Sequence, residues 1–138
     1  MGKGTSITCQ DCLWTRHFYF GVGFSDCSLE SYLEARESPL LPVVKDLIVK
    51  HGKGKEEVYD DAVATCRECA AIWETEFIYV MWEDAFHYSY PDQCPTCVSK
   101  QLEVLDESLF ESMVKEQRLV CPLCKSHQLK ISSRMLWD

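Results

Sequence analysis

Four Cys-x-x-Cys pairs, strand-like sequence beside each of them, and helical apolar spacing in between predict a small α+β fold. It consists of two antiparallel β units stapled by metal, with a helical insertion and a short second helix. The 138 residues are 46% hydrophobic and 12% aromatic, which places the chain among globular proteins and not disordered ones. Two lobes made from so few residues each need a staple beyond their own core. The spacing divides the chain into residues 1–90, with an insertion at 28–51, and residues 91–138; one compact domain over 1–138 is the alternative.

Taken in order, Met1-Gly2-Lys3-Gly4-Thr5-Ser6 matches the loose N-myristoylation pattern. A flexible leader explains the same residues equally well. Ser6–Thr8 is β-favouring and runs into the first knuckle, Cys9-Gln10-Asp11-Cys12. The aromatic stretch Trp14 to Phe24 then predicts a strand, and Gly21-Val22-Gly23 a bend in it, because the third glycine of a dinucleotide fingerprint is missing. Ser28 is placed to cap a helix with Leu29, Tyr32 and Leu33 on its apolar face. A second helix presents Val43, Val44, Leu47 and Ile48, with Ser38 as its cap, Pro39 in its first turn and Gly52 at its end. His51-Gly52-Lys53-Gly54-Lys55 lacks phosphate-loop spacing and is a solvated loop.

The second knuckle, Cys66-Arg67-Glu68-Cys69, leads into a strand from Ile72 to Trp82. Trp73, Phe77, Tyr79 and Met81 fall on one face and Ile78, Val80 and Trp82 on the other, which predicts a central strand covered on both sides. Glu83-Asp84 turns the chain into a returning strand, Phe86 to Tyr90, and so to the third knuckle. After it, Gln101–Leu105 is a short strand, and Asp106 caps a helix with Leu109, Phe110, Met113 and Val114 inward. The fourth knuckle is followed by a last strand, Leu129–Trp137.

A structural zinc site takes four thiolates as two such pairs, and the absence of an open coordination position makes it structural and not catalytic. Backbone N–H groups beyond the first cysteine of each pair point at its sulfur and offset charge. Two Zn²⁺ ions are therefore predicted. The sequential grouping puts Cys9, Cys12, Cys66 and Cys69 on one ion and Cys94, Cys97, Cys121 and Cys124 on the other. A nested grouping, with Cys66, Cys69, Cys94 and Cys97 together, has ribbon-like spacing too. The sequential one is preferred because it makes the helical insertion a loop within the first unit.

Thioredoxin-type chemistry uses a single pair at a helix start, and here four pairs adjoin strands. Cys27 stands outside the pairs, as a small buried hydrophobe or a free thiol. His127 lies near the fourth knuckle, but thiolates already fill the sites, so it belongs to the surface. His17, His51 and His87 have no partner at metal or catalytic spacing. Zinc-peptidase, deaminase and nucleophile-elbow motifs are all missing.

Cys94-Pro-Thr-Cys97 and Cys121-Pro-Leu-Cys124, with their flanking strands, resemble the zinc-ribbon superfamily of transcription and translation factors. Cys9-x-x-Cys12 followed by Phe20-Gly21-Val22-Gly23-Phe24, the insertion, and the terminal Trp137-Asp138 together resemble small bacterial proteins with two four-cysteine zinc sites. Ribbons usually carry glycine or a small polar residue after the second cysteine, whereas this chain has Leu13, Ala70, Val98 and Lys125. The resemblance implies a zinc-stapled fold and no particular activity.

With a formal charge of −8, the surface repels phosphate backbones. The expected function is thus a non-enzymatic, zinc-binding protein–protein interaction module, with Trp14, Phe18, Tyr19, Phe86, Tyr88 and Trp137 as candidate anchors. The alternative is nucleic-acid binding through Lys125, Lys130 and Arg134 beside aromatics, and the third is thiol redox chemistry. Met1 to Gln10 has no apolar signal region and no run reaches membrane-spanning length, so a cytoplasmic protein is expected.

Overall fold

A computed structural model describes residues 2–21 and 28–137. Among these residues, two antiparallel sheets and three helices make up the fold. In the first sheet, β1 (Gly2–Cys9) lies between β2 (Thr15–Phe20) and β7 (Leu129–Trp137). In the second, the order is β5 (His87–Tyr90), β4 (Ile72–Met81), β3 (Glu56–Cys66) and β6 (Leu102–Leu105).

The two sheets repeat one three-stranded plan. A strand ending at a knuckle cysteine returns as a hairpin, β1–β2 or β3–β4, and the strand after a later knuckle adds to the hairpin's first strand. Cys9 faces Leu129 across β1 and β7, and Cys66 faces Leu102 across β3 and β6. The unit containing β3 to β6 is inserted between β2 and the fourth knuckle. A division at residue 90 therefore follows neither sheet, because β6 returns to β3 and β7 returns to β1.

Gly2–Cys9 is a central strand and no flexible leader. Its Gly4, Thr5, Ser6 and Ile7 are buried between two neighbours, where small side chains fit and apolar alternation is not required. A side chain at Gly4 would meet Met135 Cγ at 2.6 Å, so Met135 folds over the space that glycine leaves. The strand β3 is likewise hidden in sequence: Glu56, Glu57, Asp60 and Asp61 occupy its first half, and its buried residues, Ala62 to Cys66, come only at the end.

Helix α1 (Leu29–Ala35) begins at Ser28, whose hydroxyl accepts from the Ser31 N–H, and its buried residues are Leu29, Tyr32 and Leu33 as expected. Helix α2 (Leu41–His51) starts later than Ser38-Pro39 suggests. Leu40 is its N-cap and Pro42 sits in the first turn; the Ser38 hydroxyl accepts from the Leu40 N–H at 3.2 Å, ahead of the helix, and donates to Glu76 at 2.6 Å. Gly52, at φ 82°, closes α2 by donating its N–H to Ile48. Helix α3 (Glu107–Lys115) is capped by Asp106, which accepts from the Leu109 N–H at 2.8 Å. Phe110, Met113 and Val114 are buried, whereas Leu109 faces outward. Among the described residues, no helix is long and apolar enough to cross a membrane.

Two cores result. The first joins Ile7, Phe18 and Phe20 of the first sheet to Val63, Ile72 and Leu105 of the second, under Phe110, Met113 and Val114 of α3. Phe110 lies 5.2 Å from Phe18 and 5.4 Å from Phe20 between ring centres. The second core packs α1 and α2 onto Ile78, Val80 and Trp82. The opposite face of β4, with Trp73, Phe77, Tyr79 and Met81, is only half-buried, so β4 is covered on one side and not on both. Where the cores meet, the Arg36 guanidinium grips Asp61 through two bonds of 2.8 Å while lying 3.8 Å over the Tyr32 ring. The Tyr32 hydroxyl donates to the same carboxylate at 2.7 Å.

Because Phe110 closes the core shared by both sheets, Phe110→Ala should lower the unfolding free energy of the metal-loaded protein by about 3–5 kcal/mol, measured by chemical denaturation.

Candidate metal centres

Each Cys-x-x-Cys segment is a tight turn with the same two backbone bonds. The first cysteine's N–H reaches the carbonyl five residues on, as in Cys9 to Trp14, Cys66 to Ala71, Cys94 to Ser99 and Cys121 to Ser126. The residue after the second cysteine donates back to the first cysteine's carbonyl: Leu13 to Cys9, Ala70 to Cys66, Val98 to Cys94 and Lys125 to Cys121. Closing the turn this way drives those four residues into the left-handed region, at φ 64°, 61°, 55° and 64°. Glycine is the usual occupant of such a position, and here four residues with a Cβ accept the strain, the β-branched Val98 at greatest cost.

The eight sulfurs gather as Cys9, Cys12, Cys121 and Cys124 in one group and Cys66, Cys69, Cys94 and Cys97 in the other. This is the nested grouping, and it corrects the sequential one. The reason lies in the strand pairing: β7 runs beside β1 and β6 beside β3, so each hairpin knuckle meets the knuckle that precedes its third strand. The helical insertion accordingly lies over the second sheet and is no loop within a ribbon containing both Cys9 and Cys66.

One sequence signal argues against the sequential grouping. In the hairpin knuckles the residue after the first cysteine donates its N–H across to the partner: Gln10 to the Gln128 carbonyl at 2.9 Å and Arg67 to the Gln101 carbonyl at 2.8 Å. Proline has no such N–H. Pro95 and Pro122 therefore mark the accepting knuckles, and each centre combines one Cys-Pro-x-Cys with one lacking proline.

The closest sulfurs across the knuckles are 3.5 Å apart for Cys9 and Cys124, and 3.6 Å for Cys12 and Cys121, Cys66 and Cys97, and Cys69 and Cys94. A disulfide needs about 2.05 Å. Metal–sulfur bonds of about 2.3 Å at tetrahedral angles put sulfurs roughly 3.8 Å apart, so both groups have the donor set and span for one ion each. Within each group all four sulfurs lie within 4.8 Å of one another.

The turns also prepare the thiolates electrostatically. Backbone N–H groups of Cys12 and Asp11 at the Cys9 sulfur outweigh burial and draw its pKa down to about 7. Those of Cys69 and Glu68 lower Cys66 in the same way. At Cys94, burial opposes but the N–H groups of Cys97 and Thr96 prevail, again giving about 7, with Thr96 N–H 3.4 Å from the sulfur. Cys97 and Cys124 are pushed up to about 12: backbone N–H groups of Ser99 and Ser126 favour their thiolates, but burial and the neighbouring sulfurs prevail. A bound cation would remove that mutual repulsion, so each group of four sulfurs has the electrostatics of a site that could hold a metal ion.

The remaining candidates lie elsewhere. His127 bonds through Nδ1 to the Gln117 carbonyl at 3.0 Å, outside the sulfur group. His17 bonds to the Ser6 hydroxyl, His51 pairs with Asp84 at 2.9 Å and stacks on Phe86, and His87 stacks near Tyr79. Cys27 falls outside the described residues. The candidate aromatics divide: Phe18 is core, Trp14 and Tyr88 are partly buried against the cores, and Tyr19 and Phe86 are exposed. No protein family, no curated protein and no solved structure matches the chain.

Elemental analysis of the native protein should find two metal ions per chain. Cys9→Ser combined with Cys121→Ser should retain one, because both changes strike one centre. Cys9→Ser with Cys66→Ser should retain none; the opposite pattern would restore the sequential grouping. Val98, 66% exposed, loses little packing on truncation. Val98→Gly should therefore raise stability by about 1 kcal/mol, seen as a higher denaturation midpoint and slower metal loss to a chelator.

Proposed function

We propose that this chain is a non-enzymatic zinc-binding protein, built as one zinc-ribbon unit inserted into another, that works as a protein–protein interaction module. The observation that carries the reading is the closed character of both centres. Four thiolates complete each tetrahedron, so an ion there stabilises the fold and has no position for substrate. Zinc suits such a site because it is redox-inert and takes tetrahedral thiolates without geometric preference of its own. The apparent binding free energy of a structural zinc, about 10–16 kcal/mol, matches the whole stability of an ordinary domain. The chain's scaffold thus depends on a reducing compartment that keeps thiols available.

The surface supports a protein partner. Leu13 and Leu123, 74% and 69% exposed, stand on the two knuckles of one centre. Large apolar side chains held outward on a rigid, metal-pinned turn lose little entropy when a partner covers them. The nucleic-acid alternative has less behind it. Arg134 donates to both oxygens of Glu111, at 2.7 and 3.3 Å, which removes it from the Lys125, Lys130 and Arg134 cluster. The same guanidinium holds the Glu111 carboxyl below its usual range.

The test is reciprocal affinity capture with zinc-loaded protein. One discrete protein should be recovered in both directions, and Leu13→Asp with Leu123→Asp should reduce its recovery at least fivefold with both metal ions retained. Recovery of nucleic acid with salt-dependent affinity, or of no reciprocal partner, would overturn the reading.

A further inference from the structure

Between the two cores lies a cavity of about 490 Å³. Its walls come from β2, the α1–α2 junction, β3, β4 and the segment entering the third knuckle. Asp61, Glu74 and Glu76 supply three carboxylates, and among the described residues Arg36 is the one cation lining it. That cation is committed to Asp61 through its two short bonds, which leaves Glu74 and Glu76 to face the cavity with one exposed ion pair between them, Arg16 to Glu74. Glu76 accepts from Ser38 and Glu74 from the Tyr19 N–H, so both carboxyl groups are held in position. Arg16 stands 3.8 Å from Glu74, beyond hydrogen-bond reach and on an exposed stretch of β2. Burial raises the Glu74 carboxyl above its ordinary value, a penalty that a bound cation would relieve.

Two further features make the cavity selective. Tyr19, Trp73 and Tyr90 line it, and aromatic faces attract cations. The cavity also runs along a part of β4 that β5 does not cover, since β5 pairs only with Ile78 to Met81. The Met81 carbonyl accepts from Lys55 on the β3 side, while the Trp82 N–H reaches Phe86 on the β5 side. Alternation along the strand then turns the main-chain groups of Glu74 and Glu76 toward the uncovered edge. The Glu76 carbonyl accepts from the Thr75 hydroxyl at 3.0 Å. Among the described residues the Glu74 carbonyl has no such donor.

We infer that this cavity receives an arginine side chain of a protein partner, with Glu74 and Glu76 pairing its guanidinium and the aromatic residues stacking on it. A planar donor fork matches carboxylates and a carbonyl edge while its face meets a ring, which a compact ammonium does less well. Arg36, held between Asp61 and the Tyr32 ring, shows the same combination already realised in the wall. A second copy of this chain is disfavoured as the occupant, because its net charge of −8 opposes an acidic cavity. The inference rests on the protein-partner reading above.

N-acetyl-arginine amide, titrated into zinc-loaded protein and followed by amide and indole NMR shifts, tests the cavity without any partner. Saturable shifts should appear at Trp73, Glu74, Glu76 and Tyr90, with N-acetyl-citrulline amide, its neutral isostere, causing none. Glu74→Gln with Glu76→Gln should weaken binding at least tenfold with both metal ions retained. No saturable shift, an equal citrulline response, a lysine analogue binding as well as arginine, or an unchanged double variant would each overturn it. Reciprocal capture separates the two claims. A partner recovered equally by the double variant sinks the cavity assignment alone, and no partner sinks the interaction reading whatever the NMR result.

Discussion

Everything in this molecule depends on pairs of knuckles meeting sulfur to sulfur. Cys9 and Cys124 are nearly the whole chain apart and yet their sulfurs sit 3.5 Å from each other. Closing so long a loop has an entropic cost that two small sheets do not offset comfortably by apolar burial alone. A metal–thiolate tetrahedron would supply a free energy of the right size, and the knuckle turns are shaped to hold one. Their N–H groups aim at the first sulfur, and their left-handed residues accept strain to hold that aim. Strain retained at four equivalent positions is intelligible only if a larger gain is realised at the same place.

The nesting of one unit inside the other has a mechanical consequence. Because β1 and β7 are neighbours, an ion in the outer sulfur group would fasten these two strands, while one in the inner group would close only the β3–β6 unit. The cores do not respect this division. Phe18, Phe20 and Phe110 from the outer unit pack on Val63, Ile72 and Leu105 from the inner one. The two units are therefore joined by a continuous apolar interface as well as by their chain crossings.

The helical insertion adds a second layer and, with it, the asymmetry between otherwise similar units. It covers the far end of β4 with Tyr32, Leu33 and Val44 and leaves the middle of the strand to charged residues. There the Tyr32–Asp61–Arg36 triad and the Ser38–Glu76 bond settle how α1 and the start of α2 approach the sheet. An acidic cavity with aromatic walls lies beside that triad, between the two cores.

Much of this was legible in the residues. The cysteine spacings carried the metal sites, since a knuckle's chemistry is local. The helices at Ser28 and Asp106 followed from caps and apolar spacing, interactions that also span only a turn. Where the chain misled, a distant partner decided. Ser38 looks like a cap but bonds to Glu76. Gly2 to Ser6 looks like a leader but belongs to β1, between two strands. Pairing among four similar knuckles is a choice between competing strand registers, and only the tertiary structure made it, by setting β6 against β3 and β7 against β1. Even there, Pro95 and Pro122 record the outcome, because a residue without an N–H cannot occupy the donating half of a centre. Local chemistry is written where it acts; which local pieces meet depends on packing free energies summed over the whole chain.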